Sequence, residues 1–162
     1  MTIPKVKMSN LSERTLVVAK PDAIQRGYLG EIITRFERRG LRLISAKFIQ
    51  ISRDFAEKHY YVHKGKPFYE GLVNYIISAP VLAMIWEGEN AIFAIRQTVG
   101  STNPLDAAPG TIRHDLALLT SRNLIHASDS SENAEKEIAL WFDPSELYPW
   151  NQSNESWIYG KN

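Results

Sequence analysis

The sequence predicts a single α/β domain in which helices are layered on a small sheet. Three observations carry that reading. The chain has 162 residues, the size of one domain. Hydrophobic residues make up 44% and charged residues 23%, enough apolar mass for a core. Short β-branched runs alternate with segments whose apolar residues recur at helical spacing.

Residues 15–19 (TLVVA) form a short apolar run and predict a buried strand, broken by Pro21-Asp22. Leu29, Ile32, Ile33 and Phe36 fall at i, i+3, i+4, i+7 and predict a helix that Gly40 closes. Residues 41–51 read as a second strand, 54–63 as a short helix, and 67–77 as another around Gly71. Residues 81–86 predict a third strand, and 89–98 a helix carrying Ile92, Phe93 and Ile95. The stretch 99–113 is rich in Gly, Pro, Ser, Thr, Asn and Asp, a long loop of the kind that is usually functional. Residues 116–119 are too short to assign, and 123–127 predict a fourth strand. Asp129 is the predicted N-cap of the last helix with Glu132 at its N3 position, and Ala134, Ile138, Trp141 and Phe142 form that helix's apolar stripe.

Residues 1–12 precede the pattern and read as an extension, with Met8 as a possible second start; 13–145 make up the body. The tail, 146–162, is polar but holds Trp150, Trp157, Ile158 and Tyr159, so it is expected to pack on the body or on a neighbouring subunit. No internal repeat or low-complexity segment is visible.

Net charge is +1, so no global field points to nucleic acid or a membrane as the main partner. The absence of cysteine excludes disulfides, zinc ribbons and thiol catalysis. No secretion signal or membrane-length apolar run is present, and the expectation is a soluble cytoplasmic protein.

The chain has no GxxxxGK[ST] loop and no GxGxxG turn, so any phosphate must be met by side chains. Lys20, Arg96, Arg113 and the polar loop are the candidates. His126 is the candidate nucleophile: it ends a predicted strand just before a helix N-terminus, where an anion meets free N–H groups. Neutral imidazole offers one ring nitrogen for attack. Glu137 lies on the inner side of the last helix and needs a partner, which the segment holding His126 and Ser128 can supply. His59, His63 and His114 are weaker candidates.

Several separated motifs then fall in one order: Ala19-Lys20-Pro21-Asp22 with Gln25-Arg26-Gly27, Thr102-Asn103-Pro104, 109–113 (PGTIR), 123–130 (NLIHASDS), 134–138 (AEKEI) and Trp157-Ile158-Tyr159. Together they resemble the nucleoside diphosphate kinase family from about Glu13 to Tyr159. The resemblance implies a ferredoxin-like βαββαβ sandwich with an antiparallel sheet of four strands. It implies that a γ-phosphoryl group passes from a nucleoside triphosphate to a diphosphate by ping-pong kinetics through phosphohistidine at His126. Glu137 and Ser128 would then orient the ring, and Lys20 and Tyr60 would sit near the transferred group. Arg96, Thr102 and Arg113 would hold the other phosphates. Asn123 and Lys20 would bond the sugar, and Phe68 would stack on any base. Mg²⁺ is expected on the phosphates and water, with no protein ligand. It and the cations would balance about four negative charges.

Ala127 stands where the family usually has glycine, and a positive φ there would cost alanine about 1 kcal/mol. Ala23-Ile24, His114 and Thr120 also depart from the usual pattern, Thr120 at the wall of the base slot. The tail and the loop around Pro104 resemble the hexameric branch more than the tetrameric one. A non-catalytic nucleotide-binding regulator would predict loss of His126 or an arginine, and all are present. Transfer to a protein histidine would use the same phosphoenzyme.

Overall fold

The computed structural model describes residues 12–160; the predicted extension and the second start at Met8 lie outside the described residues, Ser12 aside. Four strands form one sheet in the order β2-β3-β1-β4. They are β1 (Glu13–Ala19), β2 (Arg42–Ile49), β3 (Val81–Gly88) and β4 (Ile125–Ala127). Every neighbouring pair is antiparallel. α2 (Leu29–Arg38) links β1 to β2 with β3 lying between them, and α5 (Ala91–Val99) links β3 to β4 with β1 between. These two split βαβ units are the ferredoxin-like arrangement the resemblance implied.

Both faces of the sheet are covered, which is why β1 and β3 read as continuous apolar runs. On one face Val17, Met84, Trp86 and Ile125 pack with Ile32 and Phe36 of α2 and Ile95 of α5. The Phe36 and Trp86 rings meet edge to face at 5.3 Å. On the other face Leu16, Val18, Ala83 and Ile85 pack with Ala56 of α3 (Arg53–His59), Val73 and Ile76 of α4 (Tyr69–Ile76) and Trp141 of α7 (Ser131–Trp141).

Several sequence boundaries move. Pro21 does not simply end β1; it sits at the first position of α1 (Pro21–Gln25), where its missing N–H costs nothing. The predicted helix over 54–63 divides into α3, capped by the Ser52 hydroxyl on Phe55 N, and a 3₁₀ turn over Tyr61–His63. The loop 99–113 contains a 3₁₀ turn at Pro104–Asp106 and runs into α6 (Ile112–Leu116), capped by Thr111. The cap of α7 is Ser130, whose side chain accepts from Asn133 N; Asp129 instead bonds the Asn133 side chain, so the cap lies one residue beyond the predicted Asp129 and the Asp129/Glu132 box does not form. Gly40 lies just past α2 at φ +85°, as a closing glycine should.

The tail touches the body at defined points. Trp150 Nε1 donates to Leu43 O at 2.8 Å, and Ile158 of α8 (Glu155–Tyr159) lies so close that a Cβ on Gly40 would meet its Cγ2 at 2.7 Å. Trp157 is 90% exposed. No helix among the described residues is long and apolar enough to cross a membrane.

One charge is deeply buried at the far end of β3. Glu87, 2% exposed, accepts from Arg14 Nε at 2.6 Å and from Arg42 Nη2. Burial pushes its carboxyl up, but the Arg42 and Arg14 hydrogen bonds outweigh that and hold it below the ordinary range. A carboxyl depressed by folding adds stability above its unfolded value, and that stability is lost as pH falls through the folded one. Glu87→Gln should therefore lower stability by roughly 3–5 kcal/mol at neutral pH. The difference from wild type should shrink as pH falls below 4.5, the ordinary glutamate value. Thermal denaturation of both proteins across that range checks this, and a gap independent of pH would refute it.

Candidate active site

The short strand β4 sets the site. Its pairing with β1 puts His126 opposite Val18, so the imidazole faces α3 and α7 while Ile125 and Ala127 point into the other core layer. The backbone reaches β4 through a tight turn in which Ile125 N donates to Asn123 O at 2.9 Å and Leu124 adopts φ +71°. A buried leucine in that region is strained, and the residues around it hold it there. Asp22 Oδ2 accepts from Leu124 N at 3.0 Å, and Lys20 N donates to Leu124 O at 2.8 Å. Asp22 is itself held by the Tyr75 hydroxyl. Backbone strain thus falls at Leu124 and not at Ala127, which pairs as ordinary strand with Val17. Alanine there carries none of the expected cost.

Glu137 Oε2 lies 2.8 Å from His126 Nε2 and 2.8 Å from Ser128 Oγ. The carboxylate anticipated on the inner side of the last helix has found the two partners named from the sequence. Ser128 Oγ also lies 3.4 Å from Leu16 O, but one hydroxyl proton goes to one acceptor, and the shorter contact to a carboxylate wins. Leu16 N donates to the same Oγ at 3.3 Å.

The cations gather on the other side of the turn. Lys20 Nζ is buried and donates to Asn123 Oδ1 at 2.8 Å, while Asn123 Nδ2 donates to Thr102 O at 2.9 Å. Arg113 is buried on α6 and donates to the carbonyls of Asn123, Gly100 and Ile125, leaving two of its five N–H groups uncommitted. Gly100 is needed where it stands: at φ +89° it has no room for a Cβ, which would meet Thr111 Oγ1 at 2.5 Å. Arg96 is exposed, with Nη1 3.4 Å from Ala127 O. Burial, aided by Arg113, pulls the Lys20 ammonium down to about 8; burial and Arg96 pull Arg113 down to about 10. None of these cations has an acidic partner among the ion pairs of the described residues.

Tyr60 caps α3 with its ring buried and its hydroxyl without a hydrogen-bond partner among the described residues. Burial, then the Glu137 charge, pushes that hydroxyl up, so it stays protonated as a donor. Phe68 stands 54% exposed before α4, next to His63 at 5.5 Å. Thr102 is exposed in the loop, Thr120 Oγ1 lies 3.3 Å from Asn103 Oδ1, and His114 Nδ1 faces Asp115 away from the cluster.

Sequence reasoning undervalued His59. Its ring meets His126 edge to face at 4.8 Å, and its Nδ1 accepts from Trp141 Nε1 at 3.1 Å. Asp22, too, appeared in a motif without a role. No local pattern could have found either, because both contacts join distant segments.

Residues 13–147 match the family model described as nucleoside diphosphate kinase. A nucleoside diphosphate kinase of Staphylococcus epidermidis is 53% identical over 147 residues, covering 91% of this chain and 99% of that protein. One from Carboxydothermus hydrogenoformans is 54% identical with the same coverage. Among solved structures, a halophilic nucleoside diphosphate kinase from Halobacterium salinarum in complex with CDP superposes with a TM-score of 0.89 at 47% identity. It covers 91% of this chain and 99% of that one. A family protein from Babesia bovis gives 0.88 at 48%, with equal coverage. The chain belongs to the nucleoside diphosphate kinase family and is an enzyme of that phosphotransferase class.

Proposed function

We propose that the chain carries the γ-phosphoryl of a nucleoside triphosphate to a nucleoside diphosphate through phosphohistidine on His126 Nδ1. The contact between Glu137 and His126 Nε2 carries the reading. An ionised carboxylate only accepts, so Nε2 keeps the ring proton and the lone pair lies on Nδ1. That lone pair attacks the γ-phosphorus, the bond to the bridging oxygen breaks, and the diphosphate leaves with its electrons. A second diphosphate attacks the phosphohistidine through a terminal oxygen and restores the imidazole. Glu137, held by Ser128, offsets the positive charge the ring carries in transit.

Lys20 and the Tyr60 hydroxyl then donate to the moving group, the second supported by its want of any partner. Arg96, Thr102 and the spare N–H groups of Arg113 hold the remaining phosphates. Asn123 and Lys20 bond the sugar. Phe68 stacks on the base, and an aromatic face without a hydrogen-bond pattern accepts every base. Bound Mg²⁺ supplies charge neutralisation on the phosphates. The CDP held by the halobacterial relative supports a nucleotide as the ligand. Free nucleotide pools make the cytoplasm the proposed place of work.

A homohexamer is the proposed assembly over a tetramer, supported by the likeness of the tail end and the Pro104 loop to the hexameric branch. Leu105 in that loop and Trp157 in the tail are exposed in the single chain. Sedimentation velocity should give the mass of six chains; a stable tetramer would sink this choice.

With Mg²⁺ and γ-labelled ATP, the wild type should take up acid-labile, base-stable label that GDP chases into GTP, and His126→Ala should take up none. Nucleotide binding without label would leave the regulator as the better reading.

Lys20 supplies a pH test. In the free protein it loses its proton near pH 8, and a bound phosphate favours the charged form. Affinity for ADP should be full below pH 8 and fall about tenfold as pH rises to about 10. Calorimetry should show that fall in wild type and a weaker, flatter profile in Lys20→Met; parallel profiles would exclude Lys20 as the titrating group.

A further inference from the structure

His59, on the last turn of α3, meets three rings. Tyr60 lies at 4.6 Å, His126 at 4.8 Å and 85°, and Trp141 at 5.2 Å and 86°. Trp141 in turn is locked edge to face against Phe55 at 4.7 Å and is 3% exposed. Indole N–H can only donate, so the 3.1 Å contact to His59 Nδ1 requires a lone pair there. A protonated His59 would set two donors head to head. His59 is thus neutral, with its proton on Nε2.

The His126 ring needs this neighbour for a geometric reason. The bond to Cβ and the Nε2 contact with Glu137 hold the ring near the two ends of one axis, and the ring still turns about that axis. The perpendicular contact with His59 supplies the second constraint, the plane. Both constraints come from α7: Glu137 and Trp141 are four residues apart and so share one helix face, the first holding His126 and the second holding His59.

We propose that His59 is a positioning residue for the phosphoryl-accepting histidine: Trp141 locks its tautomer, and its ring holds the plane of His126 so that Nδ1 keeps one direction. This rests on the phosphohistidine reading above. A neutral His59 does so without adding a repelling charge beside a ring that becomes positive during transfer. Burial, then His126, Lys20 and His63, holds it well below the ordinary histidine value.

The first measurement is long-range ¹H–¹⁵N spectroscopy of the wild-type imidazoles. His59 should be the Nε2–H tautomer and stay neutral at pH values where an ordinary histidine takes up its second ring proton. An Nδ1–H tautomer would overturn the proposal without any variant having to fold. Quench-flow labelling of His126 then separates positioning from general loosening. His59→Ala should slow phosphoryl uptake about 10- to 100-fold while ADP affinity stays within about twofold. His59→Phe, which keeps a flat neutral ring, should recover most of the rate. Trp141→Phe should slow uptake less, and adding it to His59→Ala should cost nothing further. A wild-type rate in His59→Ala, or rate and ADP affinity falling together, would refute the role. Absence of label in the wild type would instead remove the phosphohistidine reading and leave the tautomer result standing.

Discussion

The site depends on the pairing of β4 with β1, which is only three residues long: Val17 with Ala127, Val18 with His126, Ala19 with Ile125. A ladder that short holds poorly by itself. Backbone and side-chain bonds together extend it at both ends. Beyond Ala127, Ser128 N donates to Leu16 O at 3.1 Å and Leu16 N donates to Ser128 Oγ, so a hydroxyl stands in for a carbonyl. Before Ile125, Lys20 N and Asp22 clasp the Leu124 peptide groups. The same residues that lengthen the ladder also reach the site, Ser128 through Glu137 and Lys20 through Asn123. The register that buries Ile125 and Ala127 on one face leaves His126 on the other. A slip of one residue would bury the imidazole among α2 and α5 and turn an isoleucine toward α3 and α7.

This dependence explains what was legible in the sequence. Strands β1 and β3 and helices α2, α5 and α7 announce themselves because each presents a long apolar run or stripe. The four-stranded antiparallel arrangement came from the family resemblance, since periodicity cannot order strands. α1 and α6, of five residues each, lack room for a stripe and were hidden in turn-forming sequence. The α7 cap was misplaced by one residue because Asp129 and Ser130 are both good caps, and only geometry tells which accepts from Asn133 N.

The site divides the same way. Glu137 could be paired with His126 and Ser128 beforehand because helical spacing turned it inward and a buried carboxylate must have partners. His59 could not: its meaning lies in Trp141, whose place in an apolar stripe concealed that its indole N–H needs an acceptor. The positive φ was sought at Ala127, where a glycine is usual in relatives, yet the turn places it at Leu124. A residue type signals backbone geometry only when that type is glycine, and Leu124 is tied down from outside by Asp22.

Buried charge is treated oppositely at the two ends of the sheet. Glu87 lies between two arginines, and its charge is matched inside the fold. Lys20 and Arg113 are buried with only neutral oxygens as hydrogen-bond partners; burial and a neighbouring arginine lower the proton affinity of each, and the Asp22 charge offsets only part of this at Lys20. Neutral acceptors offset part of the cost of desolvating a cation, and the rest stays as unrelieved free energy. Folding alone gains nothing from that arrangement, whereas an arriving phosphate relieves it by supplying the missing negative charge. The Tyr60 hydroxyl, buried and without a partner among the described residues, carries the same sign of argument for a donor. Lys20 and Arg113 both meet Asn123 at the turn before His126, so the stability forgone there becomes binding directed at one anion in one place.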